Sequence, residues 1–163
     1  MEAFMEESSN FHTVRGYQRM EKQERQLTPA MEDYLEMIYR SSLDDGYIRI
    51  NTLSEQLNVA APSATSMVQN LSKLGLVHYK RYGIIFLTES GKKAGEYLLM
   101  RHMTIELLLK NLGVQADVLA ATELIEHDIS TATLQAINTF NAFLKQHPEI
   151  LQSYARFQET NKD

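Results

Sequence analysis

LSEQLNVAAPSATSMVQNLSKLGLVHYKRYGIIFLT, residues 53 to 88, changes its hydrophobic period partway along. Ala64, Met67, Val68, Leu71 and Leu74 recur at helical spacing, and Gly75 ends that pattern. The β-prone runs Leu76 to Tyr79 and Ile84 to Thr88 follow, with Tyr82-Gly83 as a turn between them, which predicts a hairpin. Upstream, Ala60-Ala61-Pro62 is a tight turn restarting a helix at Pro62, while Thr52-x-x-Glu55 reads as a capping box opening a short helix with Leu53 and Leu57 inward. That helix stops near Asn58. A further helix precedes the pair: Thr28-Pro29 is a good start, and Met31, Tyr34, Leu35, Ile38 and Tyr39 follow at helical spacing toward Asp44-Asp45-Gly46. Three helices and a two-stranded hairpin in this order are the layout of a winged helix-turn-helix.

The rest of the chain reads as helix. A long segment from Thr88 carries Ala94, Leu98, Ile105 and Leu109 to a stop at Gly113. Segments at roughly 115 to 128 and 130 to 147 follow, Pro148 punctuates the second, and Ile150 to Phe157 is helical. The fold class is therefore mainly α: a winged helix-turn-helix with a small two-stranded wing, then an α-helical domain. Residues 1–26 form a polar extension expected to be disordered, 27–91 the winged domain, and 92–163 the helical one.

Composition narrows the chemistry. The 163 residues, 44% of them hydrophobic, suffice for a core. The absence of an apolar run of bilayer length or a signal peptide points to a cytoplasmic protein with no membrane partner. With no Cys there is no disulfide, thiolate metal site or cysteine nucleophile, so any metal is held by oxygen and imidazole. A net charge of −5 argues globally against nucleic acid, but charge is unevenly distributed. Between Arg49 and Lys93 it is mostly positive, and at 28 to 45 and 94 to 128 mostly acidic.

The second helix of the pair clusters small and amide side chains at its N-terminal end: Pro62, Ser63, Ala64, Thr65, Ser66 and Gln69. Small residues let a backbone approach the major groove, hydroxyls and N-terminal amides meet phosphate, and an amide side chain can bond base edges. Lys73, Lys80 and Arg81 add charge for the DNA backbone. A helical hairpin with an ordinary solvated face is the alternative.

Asp33 and Glu36 share one side of the first helix, opposite the Met31, Leu35 and Ile38 stripe. Glu123, Glu126 and His127 share a side of theirs, away from Val118, Ile125 and Ile129, and His102 lies among Leu98, Ile105 and Leu109. Each group has a bland reading, as a wet acidic face or a hydrogen-bonded core histidine. Together, four carboxylates and two imidazoles on three helices could hold a hard or borderline divalent ion, with manganese or iron(II) favoured over copper.

These segments, TPAMEDYLEMIY from Thr28, the helix-turn-helix from Leu53, the wing YKRYGIIFLTESGKKAG, RHMTIELLLKNLGV and ELIEH, resemble the diphtheria toxin repressor family of metal-activated transcriptional repressors, from about Thr28 to Ala142. The resemblance implies a homodimeric repressor of metal-uptake genes, acting on palindromic double-stranded operator DNA, without enzymatic activity or organic cofactor. It also implies a site for two ions per subunit at the positions matching Asp33, Glu36, His102, Glu123, Glu126 and His127. The iron-sensing branch has Met in place of Asp33 and Cys in place of Glu123, so this pattern is similar to the manganese branch and implies Mn2+, with Fe2+ or another divalent ion as the alternative. Manganese regulators commonly have two consecutive His where this chain has His127-Asp128, and the second is outside the six. The long forms' C-terminal SH3-like domain has no room here, and the N-terminal extension is unlike the shortest members. A di-metal carboxylate enzyme would use Glu-x-x-His pairs, which ELIEH does not supply. A winged-helix regulator of an organic ligand is the nearer rival.

Overall fold

The computed structural model describes residues 27–161; the polar N-terminal extension of 26 residues lies outside them. The chain divides into two compact units, the first ending at Leu98 and the second beginning at Leu99.

In the first unit, α1 (Pro29–Ser41) starts as its sequence dictates, with the Thr28 hydroxyl accepting from the Met31 amide. Strand β1 (Ile48–Arg49) leads directly into α2 (Ile50–Gln56), and α3 (Ala61–Lys73) follows. Strands β2 (Val77–Lys80) and β3 (Ile84–Leu87) form the wing, joined by a turn over Arg81–Gly83. The sheet has three strands in the order β1-β3-β2, all antiparallel, with Ile48 opposite Ile85 and Tyr79 opposite Ile85 on its other edge. The two-stranded expectation thus gains a third strand, too short to leave a period-2 signature. Leu35, Ile38, Leu53, Ala64, Val68, Leu71 and Ile85 are completely buried and tie the helices to the sheet. Burying each larger side chain contributes roughly 1.5–3 kcal/mol.

Three local expectations change. The capping box fails because β1 ends at Arg49, which takes the cap position of α2 in extended conformation without a side-chain bond, leaving Thr52 inside the helix. Helix α3 starts one residue early, at Ala61, with Pro62 in its first turn. Leu74 lies past the end of α3 and is exposed, because the helix closes before completing another turn inward.

Two glycines are required. A Cβ on Gly91 would sit 1.8 Å from the Leu76 carbonyl oxygen, where the start of α4 (Glu89–Asn111) closes onto the wing. Thr88 holds that junction, its hydroxyl donating to the Gly75 carbonyl at 2.7 Å and accepting from the Gly91 amide at 3.0 Å. At Gly83 the left-handed φ of 70° coincides with the Ile50 side chain, 2.5 Å from where a Cβ would stand. Only a residue without a Cβ suits both conditions.

The second unit contains the remainder of α4, then α5 (Val118–Glu126), α6 (Thr131–Gln146) and α7 (Pro148–Thr160). Asp117 and Ser130 cap α5 and α6 by accepting from Ala120 and Thr133 amides. Leu134 and Leu144 carry the buried face of α6. Asn141 joins them as a buried polar contact, donating to the Thr104 carbonyl at 2.9 Å and accepting from Asn111 at 3.2 Å. Helix α7 is tied to the end of α4 through Gln158 and Tyr154, both donating to the Leu112 carbonyl.

Candidate metal centre and nucleic-acid interface

Helix α3 sorts its residues by position. Pro62, Ser63, Ser66, Gln69 and Lys73 are exposed, Thr65 is half-buried, and Val68 and Leu71 point inward. Positions 62, 66, 69 and 73 fall on one helical face. Ala64 is corrected: it is fully buried beside Val68 and Leu71, so it belongs to the core rather than the DNA-facing surface. On the wing Lys80 and Arg81 are exposed, and the Lys80 ammonium lies 4.9 Å from the centre of the Phe86 ring.

Tyr82, read from the sequence only as a turn residue, stands at the tip of the wing. It is 89% exposed and sits at φ 64°, a left-handed conformation that costs a bulky residue free energy. The visible signal was an aromatic placed directly between Arg81 and Gly83 in a turn.

The metal-ligand candidates are divided between the two units. In the first, Asp33 on α1 is exposed, while Glu36 is half-buried and paired with Arg40 one turn on. In the second, His102 on α4 and Glu126 at the end of α5 face one another. The His102 Nδ1 is 3.2 Å from Glu126 Oε2 and 3.3 Å from Oε1, with both side chains buried. An ionised carboxylate has no proton to donate, so Nδ1–H is the donor.

His127 is the C-cap of α5, half-buried, and its Nδ1 is 3.3 Å from the Arg101 guanidinium. The last carbonyls of α5 surround it with partial negative charge, which favours a cation nearby. Glu123, one turn earlier, is exposed. The expected shared acidic side of α5 therefore splits, with Glu126 inside and Glu123 outside. Ile125, expected to face inward, is 38% exposed, and Leu119 and Leu124 are exposed with it. The Glu126 carboxylate takes the inner position because His102 satisfies it there.

Arg101 is the other residue the sequence reading left aside, although it adjoins His102; it is 3% exposed. A buried carboxylate between imidazoles, in a chain without thiols, is a donor set that suits a hard or borderline dication.

Winged helix-turn-helix and a helical unit with a buried imidazole–carboxylate pair together define the class of metal-dependent, DNA-binding transcriptional regulators. Two family models match: iron dependent repressor, N-terminal DNA binding domain, over residues 26–85, and iron dependent repressor, metal binding and dimerisation domain, over 88–154. The chain belongs to the iron dependent repressor family.

It is 35% identical over 126 residues to the HTH-type transcriptional regulator MntR of Lysinibacillus sphaericus (strain C3-41), covering 77% of this chain and 91% of that one. To the protein of the same name from Listeria monocytogenes serotype 4b it is 36% identical over 136 residues, covering 83% and 95%. A solved structure, that of the manganese regulator SloR, is similar with a TM-score of 0.61 and 32% identity over 70% of this chain. This chain spans about half, 54%, of that one. The family is one of repressors, and the chain is a regulator rather than an enzyme. Among the described residues no helix is long and apolar enough to cross a membrane.

Proposed function

We propose that this protein is a manganese-activated, homodimeric repressor of metal-uptake genes in the cytoplasm, binding a palindromic operator. The observation that carries the reading is the buried His102–Glu126 pair in a Cys-free metal-binding domain. Asp33, Glu36, His102, Glu123, Glu126 and His127 are the proposed ligands, for two ions per subunit. An Asp at position 33 and a Glu at 123 offer hard oxygen where a softer set would carry sulfur, which favours Mn2+ over Fe2+. Similarity to relatives named MntR and to a manganese regulator supports the same choice.

Residues 27–91 are assigned to DNA binding and 92–163 to metal binding and dimerisation. A bound dication would supply the positive charge that offsets the mutual repulsion of carboxylate ligands. Asp33 and Glu36 lie on the helix that leads into the DNA-binding residues, and the other four follow the wing in sequence. Holding both groups to one site limits how the DNA-binding residues move relative to the dimerisation residues. Ser63, Ser66 and Gln69 then meet the groove, and Lys73, Lys80 and Arg81 the phosphates. Two recognition helices must match half-sites about 34 Å apart, so a narrower distribution of their spacing raises affinity. By linkage, DNA tightens metal binding by the same coupling, typically about 1–3 kcal/mol.

The test is binding of the full chain to a palindromic operator duplex and to a scrambled one, with Mn(II), Fe(II), Zn(II) or no metal. Strong binding to the palindrome with Mn(II) alone is expected. Equal binding without metal overturns the reading, and activation by Fe(II) but not Mn(II) moves the protein to the iron branch.

A further inference from the structure

Arginine has only donors, and this fixes the state of the imidazole it touches. The Arg101 Nη2 lies 3.3 Å from His127 Nδ1, so Nδ1 accepts. A neutral imidazole has one nitrogen with an in-plane lone pair and one carrying hydrogen. The His127 proton is therefore on Nε2, and the one in-plane lone pair of this tautomer is directed at the guanidinium. His102 is the opposite case: its Nδ1 donates to Glu126, which leaves the Nε2 lone pair uncommitted to that contact. His127, by contrast, shares its Nδ1 with a cation.

We propose that Arg101 is a built-in competitor for the metal, a fixed cation that holds His127 by the lone pair a divalent ion needs and is exchanged for that ion on binding. The inference rests on His127 being a ligand. Arg101 is 3% exposed and remains charged at any working pH, so its competition persists across the physiological range. Its effect is to raise the metal concentration at which the site fills. The charge and the hydrogen bond act in the same direction, since a dication approaching His127 is repelled by the guanidinium and must also break its hydrogen bond.

Two measurements on the full chain test this. Imidazole 15N spectra of the metal-free wild type, at mildly alkaline pH, should place the His127 proton on Nε2. A proton on Nδ1 overturns the inference, because that nitrogen could not accept from Arg101.

The second measurement is Mn(II) affinity, read from the electron paramagnetic resonance signal of free Mn(II), with thermal melting to confirm folding. Arg101→Met should bind Mn(II) more tightly than wild type by roughly tenfold, the scale of one lost charged hydrogen bond. Arg101→Gln, which keeps a donor without charge, should fall between the two, and Arg101→Lys should stay near wild type. Unchanged or weaker binding in both neutral variants overturns the proposal. His127→Ala separates the two layers of reasoning. If it loses Mn(II) affinity while the Arg101 variants do not gain any, only the competitor role falls. If it binds like wild type, the ligand assignment falls and takes this inference with it.

Discussion

Replacing Glu126 by Gln separates the structural role of this side chain from its proposed metal-binding role. Glu126 is 1% exposed, and both its oxygens lie within hydrogen-bond range of His102 Nδ1, at 3.2 and 3.3 Å. Glutamine has the same shape, and its carbonyl oxygen can still accept from Nδ1–H. The exchange turns a charged hydrogen bond, worth about 1.5–3 kcal/mol net, into a neutral one of about 0.5–1.5 kcal/mol. Removing a buried carboxylate also removes a desolvation cost of similar size, so the metal-free variant should differ from wild type by about 1 kcal/mol or less. The metal response should differ far more. At free Mn(II) of about 100 times Kd, wild type gains roughly 2.7 kcal/mol of stability. For a chain of this size that is a rise in Tm of roughly 5–10 °C. Glu126→Gln should show about 2 °C or less under the same conditions. Melting followed by circular dichroism, with and without Mn(II), reads both quantities. A full manganese shift in the variant refutes Glu126 as a ligand, and a metal-free loss above about 3 kcal/mol refutes the isosteric exchange.

The remaining tests address DNA and assembly. Gln69→Ala should cost about 1–3 kcal/mol on the cognate operator and relax preference at one base step, whereas Arg81→Ala should weaken cognate and scrambled duplexes alike and reduce the salt dependence by about one phosphate contact; titrations at several salt concentrations check both. Tyr82→Gly should raise stability by about 0.5–1 kcal/mol, because glycine accepts the left-handed φ of 64°, yet weaken operator binding by removing the exposed aromatic from the wing tip; melting and DNA titration should move in opposite directions. Leu124 is 81% exposed on α5 in the unit that carries the dimerisation domain, so Leu124→Glu should shift sedimentation toward monomer while leaving the helical content unchanged.

Much of the winged unit was legible because its signals are local. Thr28-Pro29 set the start of α1, Gly75 the end of α3, and the apolar runs around Tyr82-Gly83 the hairpin, each within a few residues. Helical period also separated Val68 and Leu71 from Ser66 and Gln69 before any packing was known. It failed at Ala64, whose small size suits both a core and a groove-facing surface, and at Thr52, where a two-residue strand claimed the residues before α2.

The sequence by itself determined the inventory of the proposed metal site: oxygen and imidazole donors, no thiolate, and their placement on α1, α4 and the end of α5. It could not orient α5. VLAATELIE is apolar on more than one side, so its period does not say which side faces in. Tertiary packing settled that by giving Glu126 a buried partner in His102 and turning Leu124 and Ile125 outward. It also put Arg101 against His127, residues 26 positions apart whose meeting depends on how α4 and α5 pack. Capping and period act over one or two turns, whereas the placement of a charge is decided by the partner that makes its burial tolerable.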